Sequence, residues 1–174
     1  GGVYDSGNPT GMTAYDGKLY FSADDGQGAG NELWRYDVAT DTAELFRNIN
    51  QTPPPTGGED PEHHAWPSQF FEYDGLLYFA ADDGEHGREL WATDGDTCWL
   101  VLDVYPGEYG SGVGRFCEWN GDLYFSANDG QTGSEVGYIT GEYDETAAIF
   151  RIPEPATLVL LAAGAAMIGT RRRR

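Results

Sequence analysis

Positive charge is scarce in this chain: ten Lys and Arg stand against 29 Asp and Glu among 174 residues, a formal charge of −19. So acidic a surface repels polyanions, which excludes nucleic acid and anionic lipid as partners of the body of the protein. Other shortages narrow the chemistry. The three His and two Cys show neither CxxC nor HExxH spacing, so no preformed zinc site is encoded. There is no GxSxG elbow, P-loop or Rossmann fingerprint, and no helical periodicity before residue 156. Eleven Tyr, eight Phe and five Trp nevertheless supply a core, and the charges are interspersed rather than blocked. A folded domain is therefore expected rather than a disordered acidic segment.

Only one long uncharged run is present, at residues 156–170, preceded by Pro153, Glu154 and Pro155 and followed by Arg171, Arg172, Arg173 and Arg174. As a helix it would extend about 22 Å, short of the roughly 30 Å of a bilayer core, so a transient anchor is expected, with the arginines retained at the cytoplasmic face. These three parts in this order resemble the PEP-CTERM sorting signal of exopolysaccharide-producing Gram-negative bacteria. The resemblance implies export, passage through the membrane on this helix, and recognition and removal by an exosortase. Residues 153–174 are thus a processing segment to be set aside from the fold of the body. Without them, residues 1–152 hold 28 acids against 6 bases, a charge of −22. The chain starts at Gly1 with no initiator Met and no signal peptide, so it is expected to be the C-terminal part of a longer precursor.

The body repeats. Tyr15-Asp-Gly-Lys-Leu-Tyr-Phe-Ser-Ala-Asp-Asp-Gly26, Tyr73-Asp-Gly-Leu-Leu-Tyr-Phe-Ala-Ala-Asp-Asp-Gly84 and Trp119-Asn-Gly-Asp-Leu-Tyr-Phe-Ser-Ala-Asn-Asp-Gly130 align directly. Leu19 to Leu77 is 58 residues and Leu77 to Leu123 is 46, and the excess is assigned to a Pro/Gly-rich insertion at 51–67. The repeats are placed at about 9–50, 66–104 and 112–152 within one module, residues 1–152. Asp16-Gly17, Asp74-Gly75 and Asn120-Gly121 predict tight hairpins, because these pairs accept positive φ. The strand after each turn has two apolar faces, which predicts a sheet buried on both sides. Third strands are expected at Glu32-Leu-Trp34, Glu89-Leu-Trp91 and the degenerate Glu135-Val-Gly137, and fourth strands at 43–49, 98–104 and 146–152. Four short strands per roughly 46 residues is the size of a propeller blade. The fold expected is all-β: a repeat β-meander, partly propeller-like, with about three blades of four strands, plus one C-terminal hydrophobic helix.

Arg88-Glu-Leu-Trp-Ala-Thr-Asp-Gly-Asp-Thr97, preceded by Ala81-Asp-Asp-Gly-Glu-His-Gly87, resembles the ELWxxDGT repeat of bacterial surface proteins, which implies a propeller-like module. The first repeat departs from the pattern after Asp37, and the third lacks its Leu and Trp.

Several side chains are candidates for chemistry. The acidic turns place Asp82, Asp83 and Glu89 together in the middle repeat, with Asp24, Asp25 and Glu32, and Asn128, Asp129 and Glu135, as counterparts. Such oxygens could hold Ca²⁺, or the Asp residues could simply cap turn amides. His63, His64 and His86 read as exposed loop residues. Trp34 and Trp91 recur in register and read as packing, whereas Trp66, in the irregular insertion, is the candidate ligand contact. Cys98 and Cys117 can pair in an oxidising compartment or remain free thiols. The functional expectation is an exported, non-enzymatic surface or matrix protein that binds or scaffolds, with polysaccharide or a surface protein as partner and Ca²⁺ as the one cofactor considered. The alternative is an extracellular glycosidase or lyase whose catalytic residues lie in upstream blades.

Overall fold

The computed structural model describes residues 7–24, 26, 28–52, 64–140 and 148–149. They form three four-stranded antiparallel sheets and no helix. The first sheet is β1 Thr10–Tyr15, β2 Lys18–Ala23, β3 Glu32–Asp37 and β4 Thr42–Arg47. The second is β5 Ser68–Tyr73, β6 Leu76–Asp82, β7 Arg88–Thr93 and β8 Cys98–Leu102. The third is β9 Gly114–Trp119, β10 Asp122–Asn128, β11 Ser134–Thr140 and β12 Ala148–Ile149. Each is a meander with its strands in sequence order. The expected C-terminal helix at 156–170 lies outside the described residues, as does most of the insertion.

The turns behave as their sequences demand. Asp16 and Gly17 have φ of 46° and 73°, Asp74 and Gly75 have 47° and 79°, and Asn120 and Gly121 have 55° and 86°. Positive φ at both central residues gives the I′ geometry that matches strand twist, and Asn, Asp and Gly enter it at least cost. The sequence did not reveal that every first strand is bulged at one equivalent place. Gly11, Gln69 and Arg115 take φ of 67°, 60° and 55°, and pairing with the next strand shifts register around each of them. A bulge increases local twist and bends the strand. The third strand of the degenerate repeat is also longer than its sequence implied. β11 runs a full seven residues, with Gly137 opposite Phe125 where Trp34 and Trp91 stand opposite Phe21 and Phe79.

The sheets stack face to face, with β1 against β5 and β5 against β9. Tyr20, Leu33 and Ile49 of the first repeat pack on Leu77, Phe79 and Trp91 of the second. Tyr78, Leu90 and Ala92 of the second pack on Leu123, Phe125 and Ile139 of the third. The middle strand β6 is therefore buried on both faces, which is why its sequence shows no polar alternation. A latch recurs at each junction: the Tyr15 hydroxyl donates to the Gly75 carbonyl and the Tyr73 hydroxyl to the Gly121 carbonyl, both at 2.6 Å. Each joins the end of one first strand to the hairpin turn of the next sheet.

Phe79, wholly enclosed between two sheets, should be the costliest single truncation. Phe79→Ala is expected to lower unfolding free energy by about 3–5 kcal/mol in urea denaturation. Tyr73→Phe, which loses one hydrogen bond but keeps the ring, should lower it by only about 1 kcal/mol.

Candidate functional site

The acidic-turn residues singled out by sequence lie between the second and third strands of each repeat and at their adjoining ends. In each repeat the first acid or amide of the turn accepts from the amide two residues on: Asp24 from Gly26 at 2.8 Å, Asp82 from Gly84 at 2.7 Å and Asn128 from Gly130 at 2.8 Å. The following acid does the same. Asp83 Oδ1 accepts from the amides of Glu85 and His86 at 2.9 and 2.8 Å, and Asp129 Oδ1 from those of Gln131 and Thr132 at 2.9 and 2.7 Å. His86 Nδ1 lies 2.8 Å from Asp83 Oδ2. Partial burial opposes charge on Asp83, but the backbone amide and ring of His86 outweigh it and hold the carboxyl below its usual range. The same side-chain contact raises the imidazole of His86.

Glu32 and Glu89 have a different task. Both are fully buried, at 0% exposure. Glu32 Oε2 accepts from the Ile49 amide at 2.6 Å and Oε1 from the Asn50 amide at 3.3 Å. Glu89 Oε2 accepts from Val104 at 2.9 Å, and Oε1 from Tyr105 at 3.3 Å and Ser111 at 2.8 Å. Glu89 gathers the exit of its own fourth strand and the entry to the next sheet's first strand. In the first repeat Glu32 holds the exit, and the Asn31 carbonyl beside it takes the entry, accepting from the amides of Ala65 and Trp66 at 3.0 and 3.2 Å. Burial is the dominant influence on each and raises it, Glu32 to about 8, against the opposite pull of the backbone donors. Sequence reasoning missed this role. The signal was available, because Glu32, Glu89 and Glu135 hold one register while the residues around them change.

Asp82, Asp83 and Glu89, the candidate Ca²⁺ ligands, thus face different partners. The two Asp side chains cap the β6–β7 turn, and Glu89 points into the core toward the linker. Among the described residues no group of three or more His, Cys, Asp or Glu could hold a metal ion. Asp25 and His63 lie outside the described residues.

Trp66 is 55% exposed, and its backbone takes a positive φ of 46°. Its amide donates to the Asn31 carbonyl at 3.2 Å, its carbonyl accepts from Arg88 Nη1 at 2.7 Å, and its indole lies 4.8 Å from the His64 ring. The backbone is anchored on two sheets while the indole stays open to solvent. Nearby, a shallow cleft of about 270 Å³ at the junction of the first two sheets is lined by Ile49, Gln51, Thr52, Asp83, Glu85 and Trp91.

The two cysteines carry free thiols. They follow one another along the chain in β8 and β9, but those strands belong to different sheets. Cys98 packs on the core between the first and second sheets, whereas Cys117 is exposed on the third. Burial pushes the Cys98 thiol up to about 12, so its reactive thiolate is suppressed.

Residues 151–174 match the PEP-CTERM protein-sorting motif. That motif marks an exported protein of the Gram-negative-type cell envelope or surface, sorted by an exosortase system. Pro153, Glu154, Pro155 and Arg171–Arg174 lie within it, and outside the described residues. No curated protein matches the chain. Two solved structures share a distant likeness. The computationally designed Ika8 protein is 14% identical with a TM-score of 0.40, over 83% of this chain and 39% of its own. Zg3597, a family 117 glycoside hydrolase from the marine bacterium Zobellia galactanivorans, is 16% identical with a TM-score of 0.42, over 95% of this chain and 51% of its own. The chain spans about half or less of either structure's length, and likeness at this level defines neither fold nor activity.

Glu32 ties stability to pH. Its folded value of about 8 stands above the ordinary 4.5, so the folded state holds a proton that the unfolded chain has lost. That contribution is fully present below about pH 4.5 and disappears as pH rises through about 8, at up to about 1.4 kcal/mol per unit. Glu32→Gln, neutral throughout, should gain on the parent protein as denaturation is measured from pH 5 to pH 8. Repulsion among the other acids is common to both proteins and cancels in the difference.

Proposed function

We propose that this is an exported, non-enzymatic surface or matrix protein whose propeller-like ELWxxDGT-type repeats present a rigid surface to polysaccharide or a surface protein. The observation that carries this reading is the PEP-CTERM motif at 151–174 joined directly to the three-sheet module. The motif supplies the address, and the sheets supply a rigid display. Three features of the module support a contact role. First strands lie side by side at successive junctions, as blades do around an axis. The acidic constellation of the middle repeat is held by turn and linker amides, including Asp83 where it lines the cleft. Trp66 offers an open indole on an anchored backbone. In this reading the C-terminal segment holds the precursor in the membrane until the exosortase removes it near Pro155.

Intact-mass analysis of the extracellular form should place its C-terminus near Pro155. Recovery of released protein still carrying Arg171–Arg174 would overturn the processing step. Binding is checked separately, by titrating the purified protein with the exopolysaccharide of a producing strain. Trp66→Ala should weaken that affinity about fivefold, the loss of one aromatic contact worth about 1 kcal/mol, without changing the melting temperature. An unchanged affinity would remove Trp66 from the contact surface.

A further inference from the structure

The two internal junctions follow one rule, and the outer faces of the stack can be read by it. The face bearing Tyr20 and Leu33 meets the face bearing Leu77 and Phe79, and in register Tyr78 and Leu90 meet Leu123 and Phe125. By strand alternation, the outer side of the third sheet carries the next members of the first set: Tyr124, Val136 and Tyr138. The outer side of the first sheet carries the unmatched members of the second set: Leu19, Phe21 and Trp34. Exposure changes accordingly. Leu33 and Leu90 are 0% exposed, but their counterpart Val136 is 43% exposed. Tyr15 and Tyr73 are buried, but their counterpart Trp119 is 67% exposed. On the other outer face, Met12 is 64% exposed where its counterparts Phe70 and Phe116 pack against the two cores.

We propose that the outer face of the third sheet docks on the outer face of the first sheet of a second copy, head to tail. The latch residue agrees with this pairing. Tyr15 and Tyr73 donate to the turn carbonyls of Gly75 and Gly121, and the third position has Trp119, an aromatic that keeps a donor in its indole N–H. The matching acceptor is the Gly17 carbonyl of the second copy, at a turn with open space around it. A head-to-tail contact generates either a ring or a filament. On the propeller-like reading above, two copies close a ring of six sheets, within the about four to eight typical of propellers. The body's charge of −22 opposes association, so the contact should tighten as salt screens it.

The native Cys117 makes the contact testable. It is the counterpart of Phe71, whose ring lies 6.1 Å from Phe116, and Met12 is the counterpart of Phe116. The full chain, kept in mild detergent for its apolar C-terminal run, should show a dimer mass that strengthens with salt. Met12→Cys should give an oxidised dimer through Cys117 of the other copy, absent when Cys117→Ser is added. Trp119→Arg and Val136→Arg, both at exposed positions, should raise the dimer dissociation constant about tenfold or more while melting stays unchanged in the monomer. A monomer at every concentration and salt overturns the proposal. So does a dimer that ignores both Arg variants and yields no Met12→Cys crosslink, since it would be joined through the tail instead. A crosslinked series extending past the dimer supports the head-to-tail contact and overturns the ring, and with it the propeller-like reading.

Discussion

A glutamate carboxyl group with no access to water organises the junctions between sheets. Glu89 collects three backbone amides from two places, the exit of a fourth strand and the entry to the next first strand, and Glu32 collects two at the exit of β4 while the neighbouring Asn31 carbonyl takes the entry amides of Ala65 and Trp66. Those amides belong to linkers, which have no ladder partner of their own, and a buried donor left unpaired costs about 1–3 kcal/mol. At the second connection one side chain meets this need, and at the first Glu32 shares it with the Asn31 carbonyl. A second contact reinforces it: the amides of Asp24, Asp82 and Asn128 donate to the carbonyls of Gly7, Ala65 and Ser111, the same linker positions in each repeat. With both ends of each linker held, the apolar faces of neighbouring sheets are brought into register, and the tyrosine latches close the near edge.

This arrangement accounts for how so acidic a chain folds. Among the described residues every carboxylate but Glu32 and Glu89 is at least partly exposed, where water and ions screen it. The acids in the repeat turns accept local amide protons, which rigidifies the turn and leaves few lone pairs for an ion. The two buried glutamates satisfy linker amides in the interior, and for Glu32 burial outweighs those donors and favours the protonated form. The acidity that first suggested a Ca²⁺ site is thus distributed between turn geometry and core hydrogen bonding.

The legible part of the fold is the part set by local chemistry. Asp-Gly and Asn-Gly announce positive φ at two successive residues, and the Leu-Tyr-Phe strands, apolar on both faces, announce a sheet covered on both sides. The bulges at Gly11, Gln69 and Arg115 were not legible, because Gln and Arg carry no turn signal and their φ is imposed by the bend needed where first strands crowd together. Nor was the separation of Cys98 from Cys117. Strand neighbours in sequence are neighbours in space only within a sheet, and the chain changes sheet between these two.

Sequence alone determined the address of this protein, through Pro153, Glu154, Pro155 and the terminal arginines, because a sorting signal is read as a linear string. It also determined the repeat, the four-strand unit and the hairpin turns, because these depend on alternation and on which residues tolerate a given backbone angle. Only the tertiary structure decided what each polar group does. Whether Glu89 faces an ion or three linker amides, whether Trp66 packs or stands open, and which faces remain uncovered all depend on segments far apart in the chain arriving at one place, and a linear pattern does not record that arrival.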